Sequence, residues 1–455
     1  MTALDQLAEI VFSQENQVEL RVRQKALACI KDWVAAYTLG IESANYPVVR
    51  DAFQMDDCDA YDSTRQSIFV RGSMDRAMWM GIVGHLAHFN DVEFTGNTSP
   101  TSVLLPAVLA VPSNRQQTLA DLVSPMTAGY AVIHHLGRLL NPLHFDIGWN
   151  AASTIGCIGA AAAVARSLGL DRRKILAAMA LAANQMAGLK SSNGTIAKPL
   201  SVGHAACAAI RAAQLAAAGA TGHSDLFERA GGIFTMFGGD ATNSIEPAST
   251  MAGLDSIVFK EFPCYFGVHQ PVRLARDLAS VLGRSSIERV SITASAYTMR
   301  QMSLRCPRDW SMGQFSVAHC VAVALCAGPN VITSLSDQSI GREDVQAVER
   351  NTLLRADGGF SKFEALVDVV TSDGRTHQAH GVLDLDSLRA PIVAEEKLQA
   401  VLAARIPEAR AKIFVDGAGF ETMAVSELLQ RLSEFTPSVY QGDHSAKLEA
   451  TIDGR

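Results

Sequence analysis

Two runs of small residues, about 151–190 (interrupted near Gly169) and about 202–219, constrain this chain more than anything else in it. Ala, Gly and Ser let helices approach closely, so such runs belong at the centre of a helical bundle. Between them lie the polar loop Lys190-Ser191-Ser192-Asn193-Gly194-Thr195 and the link Ala197-Lys198-Pro199-Leu200-Ser201. A proline disfavours the α region for the residue before it, so Lys198 is expected to project from an extended link. A lysine between two core helices either escapes to the surface or faces an internal cavity.

The chain has 455 residues, too many for one ordinary core, so more than one domain is expected. Charged residues make up 19% and apolar ones 48%, a globular balance. A net charge of -7 argues against nucleic acid as the main partner but permits a local cationic pocket for an anion. Eight cysteines (29, 58, 157, 207, 264, 306, 320, 326) form no C-x-x-C pair and sit mostly in apolar runs, so they read as reduced thiols in a cytoplasmic protein. The N-terminus lacks a basic segment followed by an apolar one, and polar residues interrupt the Ala-rich runs, so no signal peptide or membrane span is expected.

Helices are expected at 3–12, 17–39 (Gly40 as its stop), 74–89, 102–111 and 118–140. Past Lys260 the pattern changes. Ile287–Ala294 alternates as a strand, and Phe363–Thr371 and Arg375–Val382 form a hairpin about Ser372-Asp373-Gly374. Helical segments are expected at 316–327 and 342–351, and again at 395–405 and 425–435. The fold class is therefore mainly α, an all-helical bundle domain with a smaller inserted α+β domain. The expected boundaries are 1–266 and 397–440 for the bundle, 267–396 for the insertion, and 441–455 for a polar tail.

The glycine pairs at 231–232 and 238–239 lack the Gly-Lys-Ser/Thr of a phosphate loop, and no H-E-x-x-H, G-x-S-x-G or dinucleotide motif is present. Asp91 and Glu93 flank a turn and read first as cap and solvated charge. His88 suits a helix C-terminus as a protonated imidazole. His134 and His135 fall on different helix faces. His204 follows Lys198 at the start of the next helix, where both can face one cavity. Lys260, Cys264 and His269 surround the aromatic hinge Phe262-Pro263-Cys264-Tyr265-Phe266, and small-molecule sites concentrate in clefts between domains.

As a set, several segments resemble the MmgE/PrpD family over roughly residues 5–435. They are Ala87–Thr95 with Pro100 and Leu105-Pro106-Ala107; Gly129-Tyr130; Gly148–Ala151; Gly159–Ala162 with Leu168–Asp171; Ala197–Ala206 with Gly219–Gly222; Phe259–Cys264; and Gln314–Ala318. The family includes 2-methylcitrate dehydratase, cis-aconitate decarboxylase and iminodisuccinate epimerase. The resemblance implies a homodimer, a small polycarboxylate substrate, no metal or organic cofactor, and an active site between the domains.

Departures from the family pattern narrow the expectation. Ser99 stands where the dehydratases and decarboxylases carry a histidine, Asn150 replaces a second histidine, His319 replaces a tyrosine, and the loop before Pro100 is shorter. A positioned general acid or base contributes ~10²–10⁴ in rate, and Ser or Asn exchanges no proton near neutral pH. An epimerase acting by α-proton abstraction is therefore expected ahead of a dehydratase or a carboxylate-binding pseudoenzyme. Lys198 is the expected base or enolate stabiliser, with Asp91, His204 and His319 as proton partners. Thr95, Ser99, Asn150, Lys260 and His269 are expected to bind substrate.

Overall fold

The computed structural model describes residues 1–13, 18–53, 72–111, 116–239, 253–283, 286–405, 411, 414 and 417–435; the expected polar tail lies outside them. The fold is mainly helical with one small sheet, as the sequence indicates. One large core unites residues from Ala3 to Phe259 with the returning helix Pro391–Ala403 and the C-terminal helix Val425–Ser433. A second core, from Phe262 to Val369, packs the sheet against the helices His269–Leu282 and Val317–Ala327. A seam of Val92, Val258, Phe266, Leu383 and Leu388 lies between them.

The small-residue runs place the centre of the large core. The helices Ile155–Ser167 and Arg172–Ala183 flank Gly169, whose φ of +64° turns the chain, and Ala197–Ala217 packs on both. The last helix crosses Gly72–Leu86 at a contact between two glycines. A Cβ on Gly81 would lie 2.7 Å from Gly203 Cα, and one on Gly203 would lie 2.4 Å from Met78 O. Gly40 serves the same purpose rather than ending its helix. Leu20–Ile41 runs through it, and a Cβ there would meet Val83 O at 2.0 Å.

Lys198 does not project from an extended link. The helix Ala197–Ala217 already includes it, with Pro199 in the first turn, where a proline's missing N–H costs nothing because that donor has no intrahelical partner.

The sheet order is β2-β1-β3-β4, with β1 Ile287–Ser295, β2 Thr352–Asp357, β3 Glu364–Thr371 and β4 Thr376–Val382. The expected hairpin is β3–β4, closed by Thr371 N–H donating to Arg375 O, with Gly374 at φ +80°. Sequence patterning missed β2, a largely exposed edge strand parallel to β1 with no clean alternation. The stretch Val317–Ser334 is long and apolar enough to cross a membrane, but 61% of it is buried, and it supplies part of the second core.

Gly203→Ala is expected to lower stability by roughly 1–3 kcal/mol through overpacking against Met78 O. Chemical denaturation checks this; an unchanged midpoint would show that the helices separate without cost.

Candidate functional site

Segment 84–91 leaves the helix Gly72–Leu86 and enters the seam. Its residues are buried, and side chains cap its carbonyls: Asn90 Nδ2, from within the segment, donates to Gly84 O (2.8 Å), and from distant segments Gln314 Nε2 donates to Leu86 O (2.9 Å) and Lys260 Nζ to His88 O (2.7 Å). His88 is thereby held at φ +52°, in the left-handed region, with its ring against Tyr265 and Phe315, which also pack on each other. Opposite, Trp149 pairs with Leu189, while Asn150 N–H donates to Gly188 O and Lys190 N–H to Gly148 O, so Asn150 and Lys190 flank this antiparallel bridge at its two ends.

A cavity opens between these segments, with walls from both cores. Lys198, Lys260, Lys190, His85 and His88 line it, together with Ser99, Asn150, Tyr265 and Tyr297. No Asp or Glu lines this wall among the described residues. Lys198 Nζ donates to His88 Nδ1 at 3.0 Å and lies 5.4 Å from the Phe315 ring centroid. Its position follows from its helix turn: Asn150 Nδ2 donates to Ser201 Oγ (3.0 Å), which donates to Lys198 O (2.8 Å).

Burial, reinforced by the Lys260 charge, pushes the Lys198 ammonium well below the usual lysine range. Burial likewise lowers Lys260, to about 7. His85 and His88 are driven well below the ordinary imidazole value by burial and then by Lys198. His85 Nδ1 lies 2.7 Å from Asn90 Oδ1, an acceptor because Asn90 Nδ2 is donating to Gly84 O. Nδ1 therefore carries the proton, and Nε2, buried and unpartnered, offers a lone pair. The cavity thus combines cationic groups for an anion with neutral nitrogen bases.

Of the residues expected to act on or bind substrate, Lys198, Lys260, Ser99 and Asn150 line this cavity, and the others do not. Asp91 sits behind it, fully buried, accepting from Thr101 Oγ1, and burial and then the nearby Asp32 raise its carboxyl. Glu93 is buried rather than solvated; it caps its turn by accepting from Thr95 N–H (3.2 Å) and Gly96 N–H. Thr95 faces a neighbouring outer cavity instead. His269 is buried against Phe266, with ring centroids 4.8 Å apart.

His204 points away from the cavity. Because the helix starts at Ala197, six residues turn it about 240° from Lys198. His319 lies in the second core, with Nδ1 3.1 Å from Glu349 Oε2 and Nε2 2.9 Å from Ser339 Oγ. The set is buried, and Ser339 Oγ donates to Ser336 O, so it serves packing. His85, His88, Lys190, Tyr265 and Tyr297 went unassigned because distant packing assembles the wall. The signal for His88 was its place at a helix end three residues before Asp91.

The MmgE/PrpD N-terminal domain matches residues 5–246, and the C-terminal domain matches residues 262–417. The chain belongs to the MmgE/PrpD family. Human cis-aconitate decarboxylase is 26% identical over 290 residues, 58% of this chain and 58% of that enzyme. The mouse cis-aconitate decarboxylase is 23% identical over 344 residues, 70% of this chain and 68% of that enzyme. Both matches leave about a third or more of the relative's length uncovered. Within this MmgE/PrpD chain, Ser99 and Asn150 stand in the cavity wall itself.

The lysine shifts carry a sign that stability measurements can read. Below about pH 7, Lys260 is charged in both states and its burial cost is fully present. Above that, the unfolded chain holds a proton that the folded one lacks, so stability rises with pH toward the unfolded value of 10.5. Buried thiols such as Cys29, whose pKa burial raises, oppose this above about pH 9, where the unfolded thiol ionises. The urea midpoint is therefore expected to climb from pH 7 to pH 9, and more shallowly in Lys260→Met. A flat profile in the parent would contradict the buried-lysine assignment.

Proposed function

We propose that this chain is an enzyme that removes the proton α to a carboxylate from a small di- or tricarboxylate. One observation carries the reading: Lys198 Nζ, beside His88 and depressed by burial, faces a wall supplied with Lys260 and Lys190 and, among the described residues, free of acids. Lys260 and Lys190 hold substrate carboxylates. The neutral Lys198 amine takes the α-proton, and the electron pair of the broken C–H bond moves into the carboxylate as an enediolate. The cationic side chains stabilise that charge. The proton then rests on Lys198, hydrogen-bonded to His88.

From this intermediate an epimerase returns a proton to the opposite face of the carbon, while a lyase expels a neighbouring group. We favour the epimerase, because Ser99 and Asn150 supply no acid for a departing group. A second reading, a lyase like the decarboxylase relatives, is favoured by the free His85 Nε2, which can exchange a proton with substrate.

Incubating the protein with a panel of chiral polycarboxylates in D₂O, followed by NMR, tests both. Deuterium at an α-carbon without net conversion is the expected result. Alkene formation or loss of CO₂ would establish the lyase reading, and no exchange across the panel would remove the proposal. On the substrate so found, Lys198→Ala is expected to cut turnover by ~10²–10⁴ with no fall in the melting midpoint. Lys198→Arg should keep substrate binding and not turnover, because arginine stays protonated.

A further inference from the structure

Beside the catalytic cavity lies an outer one, walled by the end of the helix Val123–Leu140, the turn after it, and the helix Ala296–Met302. The two cavities share Phe94, Asn97, Phe145, Lys190 and Tyr297. The outer wall carries Arg138, Lys190, Arg300 and Lys362 against a single acid, Asp146. Among the described residues, none of these four cations is within ion-pair distance of a carboxylate.

Aromatic faces hold two of these cations. Lys362 Nζ lies 4.6 Å from the Tyr297 ring centroid, 5.2 Å from Phe363 and 5.4 Å from Phe94. Lys190 Nζ lies 3.7 Å from the Phe145 centroid. A quadrupole face orients an ammonium without neutralising it, so both charges remain available to a ligand. Like charges gathered on one concave wall repel each other and create a potential that a small anion relieves.

We propose that the outer cavity is a second anion site that captures small polycarboxylates and passes them into the catalytic cavity along Lys190. The proposal rests on the functional reading above only for the destination of the anion. The site binds compounds with two or more carboxylates by charge, in a manner sensitive to salt, and discriminates little between stereoisomers. Lys190, oriented by the shared residue Phe145, is among the described residues the one cation facing both spaces.

The test is calorimetric titration of citrate into the full chain at 20 and 200 mM KCl. The proteins are the parent, Lys198→Ala, the triple variant Arg138→Ala/Arg300→Ala/Lys362→Gln, and the single exposed variant Arg300→Glu. The parent is expected to bind two citrates per chain, one of them weakening steeply with salt. Lys198→Ala retains that salt-sensitive site. The triple variant loses it and keeps the other, and Arg300→Glu weakens it by roughly tenfold. Unchanged stoichiometry and affinity in both outer-site variants would overturn the proposal. So would a parent that binds no citrate, or one citrate only, abolished by Lys198→Ala. Absence of turnover on any polycarboxylate, with the salt-sensitive site intact, would instead remove the catalytic reading and leave this one standing.

Discussion

The site depends on how the backbone carbonyls of one short segment are satisfied. A buried carbonyl without a donor costs about 1–3 kcal/mol, and segment 84–91 buries several. The backbone serves His85 O, which accepts from His88 N–H, and side chains serve others. Lys260 caps His88 O, Gln314 caps Leu86 O, and Lys397, from the helix Pro391–Ala403, caps Phe89 O. The donors come from the domain hinge, the second core and the C-terminal part of the chain. Segments far apart in sequence must therefore meet here before His88 can take its left-handed conformation and face Lys198.

Behind this clasp stands a buried ion pair. Lys397 Nζ lies 2.6 Å from Asp32 Oδ1, and Asp32 Oδ2 accepts the Asp91 N–H at 2.9 Å. Removing one partner of such a pair typically costs about 3–5 kcal/mol, because the other is left charged and dry. Asp91 belongs to this layer, since Thr101 bridges it to Tyr130. It holds the floor of the cavity without lining it. The same low polarity that makes these contacts strong drives the Lys198 amine to give up its proton and lowers Lys260 to about 7, so fold and reactivity share one physical origin.

How much of this was legible in the sequence varies from residue to residue. The close packing of the small-residue helices and the β3–β4 hairpin follow from local signals, the small-residue runs and a Ser-Asp-Gly turn, while Lys198 and Lys260 stood out by their places between two core helices and beside the aromatic hinge. His204 was misplaced because its angle to Lys198 depends on where the helix begins, and Pro199 suggested too late a start. His319 was misplaced because its partners, Glu349 and Ser339, are fixed by tertiary packing. His88 shows the sharpest reversal. A helix end argued for a protonated imidazole, whereas burial and the neighbouring lysines hold it neutral. Local electrostatics can be read from spacing; desolvation cannot.

The central claim is that burial makes Lys198 a base within the working pH range. An NMR titration of protein carrying ¹³C- and ¹⁵N-labelled lysine, with Lys198 assigned through Lys198→Arg, measures this directly. The account predicts that the Lys198 signal titrates well below the ordinary lysine value of about 10.4 and moves upward when a polycarboxylate binds. Titration of Lys198 at the ordinary value, unmoved by ligand, would contradict it.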